Sequence, residues 1–202
     1  MSKLETNTID NVSGSSTLTI GDSNTSTIAL KSGATLTNFP ANTPAFNASL
    51  SSNQTLTFLV TTTVAFNTEL YDVGGCYNNT GSTVTLNGIS VPAYSFAPNV
   101  AGKYFFYGQV YINNTNSGAD LIHAASIYKN GSATYVRDMR YDTDGGTNVS
   151  VSGSIEMNGT SDYIQLRALH RNLNNSANLD LLGNPGDGRI YCYFTAYKLI
   201  GI

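Results

Sequence analysis

Two histidines, two cysteines and a handful of closely spaced acids are the residues of this chain with catalytic or metal-binding potential. His123 and His170 both fall in strand-like alternation, and a metal centre needs a third ligand converging on them, which the sequence does not offer. They read as structural or surface histidines. Cys76 and Cys192 are too few for a disulfide scaffold; two buried thiols is one reading, and a Cys76 to Cys192 bridge formed after release from a reducing compartment is the other. In "YDTDGGTN", Asp142 and Asp144 alternate beside two glycines and offer oxygens to Ca²⁺. The loop lacks the further acids and the bidentate glutamate of an EF-hand, and a plain hairpin turn selects the same Asp and Gly. "GNPGDG", Gly183 to Gly188, has the glycines of a phosphate loop without its strand-to-helix setting. Glu69 and Glu156 are the glutamates outside residues 1–40, and nothing in the sequence brings either beside an aspartate, as a glycan hydrolase requires. No HExxH, GxSxG, paired CxxC or Walker sequence occurs. The expectation is a protein that is no enzyme and holds no metal or cofactor.

The scaffold that would position such residues is polar but hardly charged. Charged residues make up 11% of the 202, against roughly 25% in an average soluble protein, so Asn, Ser, Thr and Gly must form the surface. A net charge of -3 with no basic run argues against capture of nucleic acid. No apolar run approaches the ~20 residues that span a bilayer, which argues against membrane insertion. The start, "MSKLETNTID", lacks the parts of a secretory signal, and the chain is expected to fold in the cytoplasm in which it is made.

Alternation of period two dominates, and it predicts an all-β protein. Strands are expected at Ala45 to Leu50, Leu56 to Asn67, Lys103 to Ile112, Leu121 to Lys129, Ala133 to Tyr141, Asn148 to Met157, Asp162 to His170 and Arg189 to Ile200. Asn87-Gly88, inside "STVTLNGISVPAYSFAP", and Asn130-Gly131 are tight hairpin signals, because both residues tolerate the positive φ of a two-residue turn. About ten short strands without helices imply a two-layer sandwich. Of the aromatic residues, Tyr104 and Phe106, or Tyr191 and Tyr193, would line one sheet face, while Phe105 and Tyr107 face the opposite way and suit packing between subunits.

Residues 1–40 differ from residues 41–202. The units "NTI", "TLTI", "TIAL" and "TLTNF" recur as a degenerate repeat, each with one or two apolar side chains. One copy cannot offset a backbone entropy of ~1 to 2 kcal/mol per residue with so little burial. Three chains together could bury Ile9, Leu18, Ile20, Ile28, Leu30, Leu36 and Phe39 in an intertwined stalk or particle anchor. The other reading is a polar tail that orders only against a partner.

"FNTELYDVGGCYN" followed by "YSFAPNVAGKYFFYGQVYI" resembles the C1q-like domain. Phe66, Asn67, Gly75, Tyr77, Asn78, Phe96, Pro98, Gly102, Tyr104 and Phe106 occupy the matching positions, with "FTAYKL" from Phe194 closing the domain. The resemblance runs from about Pro44 to the C-terminus; it departs at an insertion over roughly Thr80 to Ala93 and at Ala196, where Gly is usual. It implies a ten-stranded jelly-roll sandwich of the TNF/C1q kind that forms a compact homotrimer, has no catalytic activity, and buries Phe66, Tyr77, Phe96, Tyr104, Phe106 and Phe194 in its core. The repeats of residues 1–40 are similar to stalks joined to such heads in bacteriophage fibres, especially those of marine phages. The expected function is therefore a phage virion structural protein, a tail fibre or spike. It would be tied to other virion proteins through residues 1–40 and would carry a head that attaches to a host glycan or surface protein. A capsid decoration or head fibre is the alternative, and a glycan hydrolase the enzyme-class one.

The C1q-like resemblance implies that the last strand finishes near the end where the N-terminal segment enters, and counting back by strand parity then groups the wide connections at the far end. Such loops carry recognition, so Asn113, Asn114, Asn116, Asp142, Asp144, Asn148, Asn174, Asn175 and Asp187 are the candidate receptor-binding residues.

Overall fold

The computed structural model describes residues 42–113, 121–142, 145–172, 176–184 and 188–200, so the stalk expected over residues 1–40 lies outside the described residues. The first strands are β1 (Ala45–Ser49), β2 (Gln54–Leu56), β3 (Thr62–Thr63), β4 (Thr68–Val73) and β5 (Tyr77–Asn78). A small hairpin of β6 (Val84–Leu86) and β7 (Ile89–Val91) precedes β8 (Ser95–Phe96). The long strands are β9 (Gly102–Asn113), β10 (Leu121–Lys129), β11 (Ser132–Asp142), β12 (Thr147–Met157) and β13 (Ile164–Asn172). β14 (Leu179–Leu181) and β15 (Tyr193–Lys198) close the chain.

These segments build an antiparallel two-layer sandwich, and no helix occurs among the described residues. In the front sheet β12 lies along one edge of β9; β15 and the short β14 share the other, and β1, β2 and β4 continue outward. The back sheet runs β11, β10, β13, β8, β5, with β3 also on β13. The chain places β9 in front, β10 and β11 behind, β12 in front, β13 behind, and β14 and β15 in front. That interleaving is the winding of a jelly roll.

Side-chain alternation explains the layering. Along β9, Tyr104, Phe106, Val110 and Ile112 are fully buried, while Phe105, Tyr107, Gln109 and Tyr111 point outward and are half-buried. Gly108 belongs to the inward set: a Cβ there would stand 2.8 Å from Leu166 Cδ2, so the bare backbone lets β13 of the opposite sheet close in. Phe46 from β1 sits at the centre of the core. Its ring stacks on Tyr77 at 4.3 Å and on Phe96 at 4.7 Å, and meets Phe194 edge-on at 5.1 Å. Phe66 is buried with them, and the Tyr77 hydroxyl donates to the Phe66 carbonyl at 2.9 Å.

Both Asn-Gly turns adopt the conformation that their side chains permit. Asn87 and Gly88 have φ of 49° and 80°, and Asn130 and Gly131 have 52° and 78°, so both central residues are left-handed. The insertion forms the β6–β7 hairpin with a small core of its own, Ile89, Val91 and Ala97.

Two expectations need correction. The strand expected over Leu56 to Asn67 breaks after Leu56, because Leu59 turns left-handed at φ 58° and resumes pairing only at Thr62–Thr63. Inside "RNLNNSANLDLLGNPGDG", expected to be loop throughout, β14 pairs with β2 and β9 and buries Leu179 and Leu181. Such interruptions give fifteen strand segments among the described residues where about ten were expected.

A polar knot at one end ties two turns together. The Asp162 carboxylate accepts from Lys129 Nζ at 2.7 Å, Asn130 Nδ2 at 2.7 Å and the Asn158 N–H at 2.9 Å. Burial alone would raise its pKa, but these three donors outweigh burial and hold it below 3.8. At the other end His170 is fully buried, its Nε2 3.0 Å from the Leu56 carbonyl, and burial lowers its pKa from 6.5 despite that contact. Both groups have depressed folded-state values, so both contributions are complete at neutral pH and are lost on acidification. Urea unfolding is expected to show stability falling first as pH drops below 6.5, as His170 is forced to charge, and again below 3.8 as Asp162 protonates. His170→Phe should shrink the first step and leave the second, and an unchanged first step would contradict this assignment.

Cys76 and Cys192 are buried free thiols. Cys76 lies by Gly74 and Pro44, at the end of the sandwich where Lys198 N–H donates to the Pro44 carbonyl and Lys198 pairs with Tyr104. Cys192 Sγ lies 3.2 Å from the Tyr111 N–H, seven residues further along β9 from Tyr104, which separates the thiols by roughly 23 Å at ~3.3 Å per residue. A bridge between them is ruled out in this fold. Burial pushes Cys76 up and Cys192 to about 11. A thiol-reactive chromogen at pH 8 is therefore expected to label neither cysteine in the native chain and both after denaturation.

Candidate functional site

The chain enters the sandwich where β15 leaves it. Ala45 pairs with Tyr197, and Leu199 N–H donates to the Lys103 carbonyl at 2.8 Å. At the opposite end Leu121 pairs with both Asp142 and Asn172, and Thr147 and Leu181 with Ile112. The flanks of three wide connections therefore emerge together, away from the point where the chain enters. Of the candidate receptor residues, Asn113 ends β9 opposite Asp180, Asp142 ends β11, and Asn148 stands exposed at the start of β12 opposite Tyr111. Asn114, Asn116, Asp144, Asn174, Asn175 and Asp187 lie outside the described residues, as does most of the "DTD" motif considered for Ca²⁺.

An apolar tip that sequence reading missed stands beside these flanks. Leu59 and Val60 are 54% and 49% exposed, held out by the left-handed turn at Leu59. Neighbouring strands fix the tip: Leu59 N–H donates to the His170 carbonyl at 3.1 Å, Phe58 N–H to Asn178 Oδ1 at 3.1 Å, and the Phe58 ring meets His170 edge-on. A Leu in this conformation at an exposed position is a strained choice that packing does not demand. The "TLTFLVT" alternation conceals it, because nothing in Leu59's type announces a positive φ.

The outer face of the front sheet carries an aromatic ladder. Tyr107 and Tyr193 stack at 5.4 Å and 24°, Phe105 and Tyr197 lie 5.5 Å apart, and Tyr111 and Tyr191 lie 5.5 Å apart. All six are half-buried in the single chain. Tyr191 and Tyr193 thus join Phe105 and Tyr107 outside, while Tyr104 and Phe106 fill the interior. Ser150, Ser152 and Ser154 of β12 flank the ladder on one side, opposite Gln109, Tyr107 and Phe105 in register; on the other side β1 intervenes with Ala45, Asn47 and Ser49, and Tyr71 and Val73 of β4, 45% and 48% exposed, lie one strand beyond. The result is a stripe of rings bordered by serines on β12 and by the small side chains of β1, with an apolar edge on β4 beyond. Burial, and then the neighbouring Tyr107 hydroxyl, push the Tyr193 phenol up to about 12, so it stays neutral at working pH.

The residues considered for catalysis or metal binding are not brought together among those described. Among the described residues no three His, Cys, Asp or Glu side chains converge on a metal position. His123 and His170 are register partners on β10 and β13 and are buried. Glu69 and Glu156 stand on β4 and β12, at opposite margins of the front sheet, separated by four strand spacings or roughly 19 Å across it and by about 16 Å along the strands. A glycosidase pair is held within about 5 to 9.5 Å. Asp72, beside Glu69, already accepts the Cys76 and Tyr77 N–H groups at 3.1 and 3.0 Å and serves the turn.

No protein-family model and no curated relative matches the chain. Among solved structures, it is similar to crystal structures of murine APRIL. The structure at pH 5.0 is 14% identical, with a TM-score of 0.49, covering 77% of this chain and 98% of that one. The structure at pH 8.5 is 13% identical, with a TM-score of 0.48, covering 77% and 99%. The jelly-roll winding described above stands on the strand pairing itself.

Proposed function

We infer that this chain is a non-enzymatic, homotrimeric recognition head, assembled through the aromatic face of its front sheet and presenting the end of the sandwich far from Ala45 to a host surface. The observation that carries the reading is the ladder Phe105, Tyr107, Tyr111, Tyr191, Tyr193 and Tyr197, six rings aligned on one outer sheet face. Large contiguous aromatic surface on a single chain is the mark of an interface, and ring-rich, charge-poor faces form interface centres. The same face on each of three copies closes a ring and leaves no ladder open. Trimerisation multiplies weak contacts at the far end by avidity.

The setting follows from the sequence. The repeats of residues 1–40, similar to stalks of bacteriophage fibres, and the C1q-like resemblance of the rest of the chain support a virion fibre or spike anchored by that segment. The test is competition: purified chain added to host cells should slow adsorption of the particle in proportion to its occupancy, and gold-labelled antibody to residues 40–202 should decorate the tail. Undiminished adsorption would overturn the attachment role, and gold over the capsid would make the chain a decoration protein.

A further inference from the structure

On the outer face of the back sheet, three strands bring two arginines to either side of one serine. Ser126 of β10 pairs in register with Arg137 of β11 on one side and Arg167 of β13 on the other. The two arginine Cα atoms are therefore about 10 Å apart, two strand spacings, near enough for both side chains to reach one small anion. They line a cavity of ≈ 190 Å³ together with Tyr128, Leu169 and Thr61.

Arg167 is pre-positioned without being neutralised. Its guanidinium lies 4.3 Å over the Tyr128 ring and donates to Gln165 Oε1 at 2.8 Å. Gln165 is itself buried and fixed, its Nε2 donating to the Ala93 carbonyl at 2.8 Å. A ring and a neutral amide thus hold the side chain and leave its charge unpaired. Neither Arg137 nor Arg167 meets a carboxylate among the described residues, whereas Lys129 and Arg140 have theirs in Asp162 and Asp138. Ser126 and Thr61 make no side-chain hydrogen bond among the described residues to compete for a ligand. Two like charges across a serine are unfavourable when empty, and a bidentate anion reverses the sign of that interaction.

We propose that this cleft binds the carboxylate or sulfate of an acidic saccharide, with the two guanidinium groups holding the anion and the Ser126 and Thr61 hydroxyls meeting ring hydroxyls. The volume is below that of drug-sized pockets and suits a single sugar unit. Two cations in an otherwise acidic chain are too few for a nucleic acid backbone. The cleft and the aromatic ladder occupy opposite outer faces of the sandwich, so the cleft stays open when the ladder is covered. The exposed Leu59–Val60 tip immediately precedes Thr61 in sequence, at the rim of the cavity.

This deepens the recognition role inferred above and rests on it only for its biological use. The test is calorimetric titration of the full chain with a galacturonate trisaccharide, a sulfated galactose trisaccharide, maltotriose, inorganic sulfate and an aspartate-rich hexapeptide. Saturable binding of the galacturonate trisaccharide assigns the carboxylate, and that of the sulfated one assigns the sulfate; either supports the cleft, provided maltotriose does not bind. Arg137→Ala and Arg167→Ala should each weaken binding at least tenfold. Ser126→Asp, which places a carboxylate between the two arginines, should abolish binding and raise the melting temperature, an outcome that a merely structural role for these residues does not produce. Failure of both acidic trisaccharides, inorganic sulfate or the peptide binding as tightly as they do, or full binding by Ser126→Asp would each overturn the proposal. The titration needs no host cell, so its failure is distinct from a failure of the adsorption test.

Discussion

Tyr107→Glu is expected to convert a trimer into folded monomers. Tyr107 sits in the middle of the ladder, stacked on Tyr193 and next in the outward set to Phe105 and Gln109. Its side chain is half-buried and points away from the core, so the glutamate stays in water in a single chain and the sandwich is undisturbed. In the assembled state each copy would bury an unpaired carboxylate against rings, at about 3 to 5 kcal/mol apiece, on the order of 10 kcal/mol for three. Light scattering should show a threefold loss of mass, while the β-sheet circular dichroism and the urea midpoint of the monomer are retained. A trimer that survives the change would remove the ladder from the interface.

Phe46→Ala tests a ring of the same size on the other side of the sheet, and its expected outcome is unfolding. Phe46 is fully buried and touches the rings of Tyr77, Phe96 and Phe194, which belong to three different strands in both layers. Removing it loses the transfer energy of the ring and leaves a cavity walled by stiff aromatics that cannot collapse, about 3 to 5 kcal/mol. Domains of this size hold only ~5 to 15 kcal/mol in total. Chemical denaturation should therefore show the midpoint falling by a third or more, with the protein partly unfolded at 37 °C. An outward ring such as Tyr107 thus costs assembly, and an inward ring such as Phe46 costs the fold.

How much of this the sequence discloses depends on the range over which each feature is encoded. β9 is legible because twelve residues alternate without interruption, and both Asn-Gly turns are legible because the turn chemistry is local. β14 is not, since its three residues acquire strand character only from β2 and β9, more than sixty residues away in sequence. The turn at Leu59 is hidden because a residue without turn preference is forced there by bonds to His170 and Asn178. The arginine pair is hidden twice over. Arg137 and Arg167 are thirty residues apart on strands that do not touch, and the irregularity in β10–β11 pairing between Ser126 and Tyr128 slides Arg137 by one row onto that of Arg167. A reading that counts cations along the chain finds no basic patch, and the fold makes a small one.

The outer ladder was partly foreseeable from Phe105 and Tyr107, which alternate with buried residues. Whether Tyr191 and Tyr193 fill the sandwich or a subunit interface cannot be read from the sequence, because parity does not carry from one strand to another without register. Pairing of Tyr193 with Gln109 and Tyr197 with Phe105 resolves the sides.

Assembly in threes is the claim on which the recognition role depends, and the most direct test is the sedimentation-equilibrium mass of the unsubstituted full chain at micromolar concentration. A single species of three times the chain mass, unchanged on dilution tenfold, is the predicted result. A monomer at every concentration would contradict the account, because six aligned rings would then face water with no copy to cover them.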